Sequence, residues 1–141
     1  MNNQGKETLM EQLTARLKAL SDRNRLRMVA ALLLHEELCG CQLTDLIQVS
    51  AATASRHLGI LIASSLVDSR KEGRWVYYRL RRELPELRGL IAWIEDQLLG
   101  DPVVMRDLQS LEAITSVAPE LLCNPLARTQ SNPLSSPGVL T

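Results

Sequence analysis

The hydrophobic period of this chain changes twice, and that change limits the folds open to it. From Glu7 to Ser64 the apolar residues recur at helical spacing. From Leu66 to Leu80 they alternate, and from Glu83 onward the helical spacing returns. A bundle of short helices interrupted by a single β-hairpin satisfies this order.

The first helical stripe is Leu9, Leu13, Leu17 and Leu20. Ser21 and Asp22 read as the start of a second helix carrying Leu26, Val29, Ala30 and Leu33. Glu36 to Gly40 breaks the period, and Leu43, Leu46 and Ile47 form a third helix that begins near Cys41. Ser50 is an N-cap for a fourth, Ala51 to Ser64. The strands are Leu66–Lys71 and Trp75–Leu80, joined by Glu72-Gly73-Arg74, where glycine supplies the positive φ of a tight turn. Leu87, Leu90, Ile91, Ile94 and Leu98 make a fifth helical stripe, with Pro85 in its first turn. One more helix follows at Val103 to Ile114.

This order predicts a mainly α winged helix-turn-helix with a β-hairpin wing. Residues 7–99 form the DNA-binding and dimerisation domain, 100–117 an additional helix, and 118–141 a flexible tail rich in Pro, Ser, Asn and Thr. The short Gln48-Val49-Ser50 link sets the fourth helix across the third and projects it toward a major groove. A fold does not fix a function, so a protein-interaction module with this architecture stays open.

Charge sharpens the reading. The net charge is zero, but residues 50–82 hold seven basic side chains against two acids, and 83–116 hold two against seven. Such an asymmetry suits one face that meets phosphates. Ala52, Thr53, Ser55, Arg56 and His57 are the candidate DNA contacts on the fourth helix, and Arg70, Lys71 and Arg74 those of the wing. For His57, packing or a phosphate contact is preferred to metal binding. The two histidines stand with no convincing nucleophile–base constellation, so an enzyme is not expected. No run of about 18 apolar residues is present. The polar stretch Met1 to Lys6 carries no signal-peptide pattern, and the expected address is the cytoplasm, with no membrane partner.

The input signal is read from Cys39-Gly40-Cys41, two thiols one residue apart just before the helix-turn-helix. Thiolates select soft ions. Residues two apart share a direction in extended backbone but not in a helix, so a shared ion requires an extended start to the third helix. Burial as small core residues and thiol oxidation are the competing readings. Cys123 is the third cysteine, either inert or a further ligand.

Three segments in this order resemble the arsenic-responsive repressor family (ArsR/SmtB): Glu37-Leu38-Cys39-Gly40-Cys41-Gln42-Leu43, Ser55-Arg56-His57-Leu58-Gly59-Ile60-Leu61, and Arg70-Lys71-Glu72-Gly73-Arg74-Trp75-Val76-Tyr77-Tyr78-Arg79-Leu80. The resemblance covers about Leu9 to Leu99. It implies a homodimeric repressor that binds imperfectly palindromic double-stranded operator DNA and releases it on meeting its inducer. Pairing through the first and fifth helices points to Leu9, Leu13, Leu17, Leu87, Ile91, Ile94 and Leu98 as the dimer face. The family's arsenite branch carries a third cysteine where this chain has Thr44, which directs attention to Cys123 as a completing thiol. The expected inducer is As(III) or Sb(III) on Cys39, Cys41 and Cys123, with no permanent cofactor; cadmium, lead or oxidation of the thiols are the alternative inputs. The fifth helix has no histidine, so a zinc or nickel site of the family's other branch is not expected there.

Overall fold

The structure, a computed structural model, describes residues 7–123. In chain order the elements are α1 (Leu9–Leu20), α2 (Arg23–Leu34), β1 (Leu38–Cys39), α3 (Gly40–Ile47), α4 (Ala51–Ala63), β2 (Val67–Glu72), β3 (Trp75–Leu80), α5 (Pro85–Leu98), α6 (Pro102–Thr115) and α7 (Pro119–Cys123). This is a winged helix-turn-helix. The helices start where side chains replace the missing backbone partners of a first turn. The Asp22 carboxylate accepts from the Arg25 N–H at 3.0 Å, and Ser50 Oγ accepts from the Thr53 N–H at 3.1 Å.

β2 and β3 form the antiparallel wing around Gly73, whose φ is +64°. The third strand, β1, was not anticipated. It pairs Leu38 with Tyr78 and Cys39 with Tyr77, giving the sheet order β1-β3-β2. Two residues are too few to display an alternation, so only pairing with β3 defines this strand. Gly40 follows it because a Cβ there would stand 3.3 Å from the Tyr78 ring.

One core unites the helices and the base of the wing. Met28, Leu32, Leu38, Leu43, Leu61, Leu66, Leu80, Leu87 and Leu111 are fully enclosed. Helix α6 is part of this core rather than an appendage: Leu111 is buried in it, and Arg27 of α2 grips Asp107 through two 2.9 Å hydrogen bonds. The expected tail also needs correction at its start, since Pro119–Cys123 is helical and packs against α3. The remainder of that tail, 124–141, lies outside the described residues. No single described helix is long and apolar enough to cross a membrane.

Candidate functional site

Helix α4 presents a polar face to solvent because its apolar residues are confined to the opposite side. Ala54, Leu58 and Leu61 are buried, while Ala52, Thr53, Ser55 and Arg56 are exposed. Small and hydroxyl-bearing residues at the start of a protruding helix allow close approach to base edges. His57 does not belong with them. It is 8% exposed, and its Nδ1 faces Arg25 Nη1 at 3.1 Å, inside the protein. Its spacing, three after Ala54 and four before Leu61, puts it on the buried side of the helix.

The wing divides its charges. Arg70 is held by Glu37 at 2.7 and 2.8 Å and by Glu72, and its guanidinium lies 4.8 Å from the centre of the Tyr77 ring. These partners hold the Glu37 carboxyl below its ordinary range and raise the Arg70 guanidinium. Arg79 and Arg81 are paired with Glu83, and Arg79 also with Asp68. Arg81, first among these neighbours, brings the Glu83 carboxyl down to about 2. Arg82 donates to the Leu32 and Leu33 carbonyls at the end of α2. Much of the basic excess is therefore committed within the protein. Arg56, Lys71 and Arg74 are exposed and in no ion pair among the described residues; Arg74 stands over Trp75 at 5.6 Å.

The thiols lie at the joint between sheet and helix. Cys39 has extended backbone (φ −75°, ψ 153°) as the N-cap of α3, and Cys41 sits in that helix's first turn. Gln42 Oε1 accepts from the Cys39 N–H at 2.8 Å, so the sharp entry to the helix is fixed by a side chain. Cys39 is 1% exposed, whereas Cys41 is half-buried and disulfide-bonded. Thr44, at the position of the family's third cysteine, donates its hydroxyl to the Gly40 carbonyl at 2.7 Å. Burial, and secondarily the neighbouring Cys39, push the Tyr78 phenol upward. Among the described residues no three His, Cys, Asp or Glu side chains gather to hold a metal ion. The side chain of Cys123 lies outside the description, but its helix is seated on α3.

A cleft of about 440 Å³ joins these two sets of residues. It is lined by Cys39, Cys41 and Thr44 together with Ser55 of α4 and Arg74 and Trp75 of the wing. The sequence pointed to the thiols and the candidate DNA contacts separately. That Trp75 and Tyr78 line the same cleft was not foreseen, although the concentration of aromatics in the hairpin was the available signal.

Residues 22–69 match the bacterial regulatory proteins of the arsR family. The arsenical resistance operon repressor of Bacillus subtilis is 33% identical over 87 residues, which cover 62% of this chain and 81% of that protein. The chain belongs to the arsR family. Its members among these relatives are transcriptional regulators, not enzymes. An arsenic resistance transcriptional regulator of Pseudomonas putida is 37% identical over 59% of this chain and 60% of its own length. A cadmium resistance transcriptional regulatory protein of Listeria innocua is 47% identical over 45% of this chain and 54% of its own. The chain thus spans a little over half the length of these two arsR-family relatives. A homodimeric winged helix-turn-helix DNA-binding domain from Mycobacterium bovis superposes with a TM-score of 0.53 at 27% identity, covering 70% of this chain and 90% of that one.

The residues expected at the dimer face divide into two groups. Leu9, Leu13 and Leu17 are exposed on α1, Leu9 at 83%. Leu87 and Ile94 are instead 1% and 4% exposed, closed within the chain's own core, and Ile91 and Leu98 are half-buried. Trp93, which falls within the apolar stripe of the fifth helix, is 60% exposed. A stripe read from spacing alone does not separate an inward apolar face from an outward one.

Proposed function

We propose that this arsR-family protein is a transcriptional repressor that binds operator DNA as a homodimer and releases it when its cysteine thiolates capture trivalent arsenic or antimony. The observation that carries this reading is the shared cleft, which Cys39 and Cys41 line together with Ser55 and Arg74. The outer α4 residues Ala52, Thr53, Ser55 and Arg56 enter the major groove, and Lys71 and Arg74 reach the backbone beside it. Arg70, engaged by two carboxylates, holds the wing rather than the DNA. The exposed leucines of α1, with Trp93 of α5, meet the partner copy.

The donor set suits a soft ion: two sulfurs at one joint, with Cys123 as the completing thiolate on a helix seated against α3. Cys39 belongs at once to the N-cap of α3 and to the ladder partner of Tyr77. Constraining Cys39 and Cys41 together therefore acts on α3, which packs on α4, and on β3, which carries the wing. An allosteric link of about 1–3 kcal/mol is enough to lower operator affinity severalfold.

The test is a titration of reduced, operator-bound protein with arsenite, antimonite, cadmium, lead and zinc. Arsenite and antimonite should release the DNA first; release by cadmium or lead alone would replace the proposed inducer. Cys39→Ser and Cys41→Ser should abolish release, and an unchanged response in Cys123→Ser would remove that residue from the site. Arg56→Ala or Lys71→Ala should each reduce the slope of log affinity against log salt by about 1. A protein that prefers no sequence over random DNA would be an interaction module instead. The disulfide at Cys41 favours thiol oxidation as a second input, tested by treating the complex with peroxide in the absence of metalloid.

A further inference from the structure

The recognition helix is attached to the α1–α2 corner by polar groups that the DNA and thiol sites do not use. Arg25 is the hub. Its Nε donates to the Ala19 carbonyl at 2.7 Å and its Nη2 to the Lys18 carbonyl at 3.2 Å, near the end of α1. Its Nη1 lies 3.1 Å from His57 Nδ1. A guanidinium has donors and no acceptor, so this contact requires Nδ1 to carry a lone pair and His57 to be neutral. The other charged group facing the ring is Asp22, whose Oδ2 is 3.9 Å from the same nitrogen and caps α2. Of the other cations on α4 and α1, Arg56 and Lys18 are exposed, and Arg16 is engaged with the Ser64 carbonyl.

We propose that His57 is a proton-sensitive positioning residue: in its neutral form it seats the recognition helix on Arg25, and on protonation it leaves Arg25 for Asp22, shifting α4 and weakening operator binding. A proton on Nδ1 removes the acceptor and sets imidazolium against guanidinium. The same proton makes Nδ1 a donor toward the Asp22 carboxylate. Because Arg25 also ties down the end of α1, the switch alters the seating of the reading helix against the helix that carries the exposed leucines. This proposal rests on the DNA-binding reading and goes beyond it, since the input is a proton and not a thiophilic ion.

The experiment measures binding of the reduced full-length protein to a duplex that it has itself enriched from a random pool. Fluorescence anisotropy is followed at fixed ionic strength from about pH 8 to about pH 5.5, the range in which imidazoles change charge. Affinity of the unaltered protein should fall at least about fivefold. His57→Gln, whose amide oxygen keeps an acceptor for Arg25 without titrating, should flatten the profile, and His35→Gln should leave it unchanged. In parallel, nitrogen NMR of the unaltered protein should find His57 Nδ1 unprotonated at the alkaline end and protonated at the acid end, with the Arg25 resonances shifting alongside. The same slope in His57→Gln, or a proton already on Nδ1 at about pH 8, would overturn the proposal. Failure to enrich any duplex at any pH would sink the DNA-binding reading instead, and the NMR result would still decide whether the Arg25–His57 joint opens with acid.

Discussion

Helices α3 and α4 are consecutive and packed on each other, yet they are held in place by different means. Helix α3 is eight residues long and enclosed on several sides: Gln42, Leu43, Leu46 and Ile47 are buried, and α2, α4, α6, α7 and β3 all press on it. Helix α4 keeps one face open and is fixed at its middle and its C-terminal end by arginines from α1 and α2. Arg16 Nε donates to the Ser64 carbonyl at 3.1 Å, and Arg25 reaches His57. A helix held by directional polar bonds at two points keeps its orientation while leaving its outer surface free for a ligand. A helix held by close packing cannot shift without its neighbours shifting as well. The thiols proposed to sense the inducer start the second kind of helix, and the residues proposed to meet DNA start the first.

The largest expected effect asks whether the two helices share one core. Leu43→Ala on α3 and Leu61→Ala on α4 each empty a fully buried site and should each cost about 2–5 kcal/mol in urea unfolding. Both should preserve a single cooperative transition. Two separated transitions in either variant would show that the reading helix and the sensing helix are independent units, and the comparison would lose its basis.

A smaller loss should separate the two sides. Asp107→Ala leaves Arg27 without its carboxylate, while Arg27 Nη2 still lies 3.2 Å from the Leu46 carbonyl near the end of α3. We expect about 2 kcal/mol, toward the low side for a charged pair because both side chains retain some contact with water. Amide exchange should speed up in α6 and at the end of α3 more than in α4. Equal acceleration in α4 would mean that the C-terminal helices brace the whole domain rather than the sensing side.

Ser50→Ala acts on the open end of the reading helix. Loss of the hydroxyl that caps the Thr53 N–H should cost about 1 kcal/mol and weaken operator binding, since the frayed turn carries Ala52 and Thr53. Thermal unfolding and anisotropy measure the two effects. A stability loss with unchanged DNA affinity would show that the first turn of α4 does not meet the DNA.

These elements differ in how far they could be read in advance. The caps at Asp22 and Ser50, the turn at Gly73 and the change from helical to alternating period are local, and local chemistry is written in consecutive residues. β1 and α7 were not legible, because one needs β3 as a partner and the other lies where Pro and Ser suggest an unstructured tail. The buried role of His57 was legible from its spacing to Ala54 and Leu61 but was masked by its polarity. Arg16 offered no signal: its burial depends on where Ser64 falls after the chain has turned back. The thiol pair was plain in sequence, whereas the cleft it shares with Ser55 and Arg74 is a product of tertiary packing.

The smallest expected effect concerns acid and the wing. Glu37, just before β1, holds Arg70 of β2 through two hydrogen bonds, and Arg70 in turn lowers the Glu37 carboxyl below its ordinary range. A carboxylate with a depressed folded-state value contributes stability that is fully present above its unfolded value and lost as pH falls through the folded one. Arg70 is exposed, with its side chain at 51%, so the loss should be small and diminish with salt. It should appear as faster amide exchange in β2 on acidification below the ordinary carboxylate range, with α3 less affected. Glu37→Gln should remove that acid dependence and leave Cys39 paired to Tyr77, because the β1–β3 ladder depends on backbone bonds and not on this side chain. Exchange that accelerates equally in α3 would place Glu37 among the groups that hold the sensing helix, and the boundary between the two modes of attachment would move to include the wing.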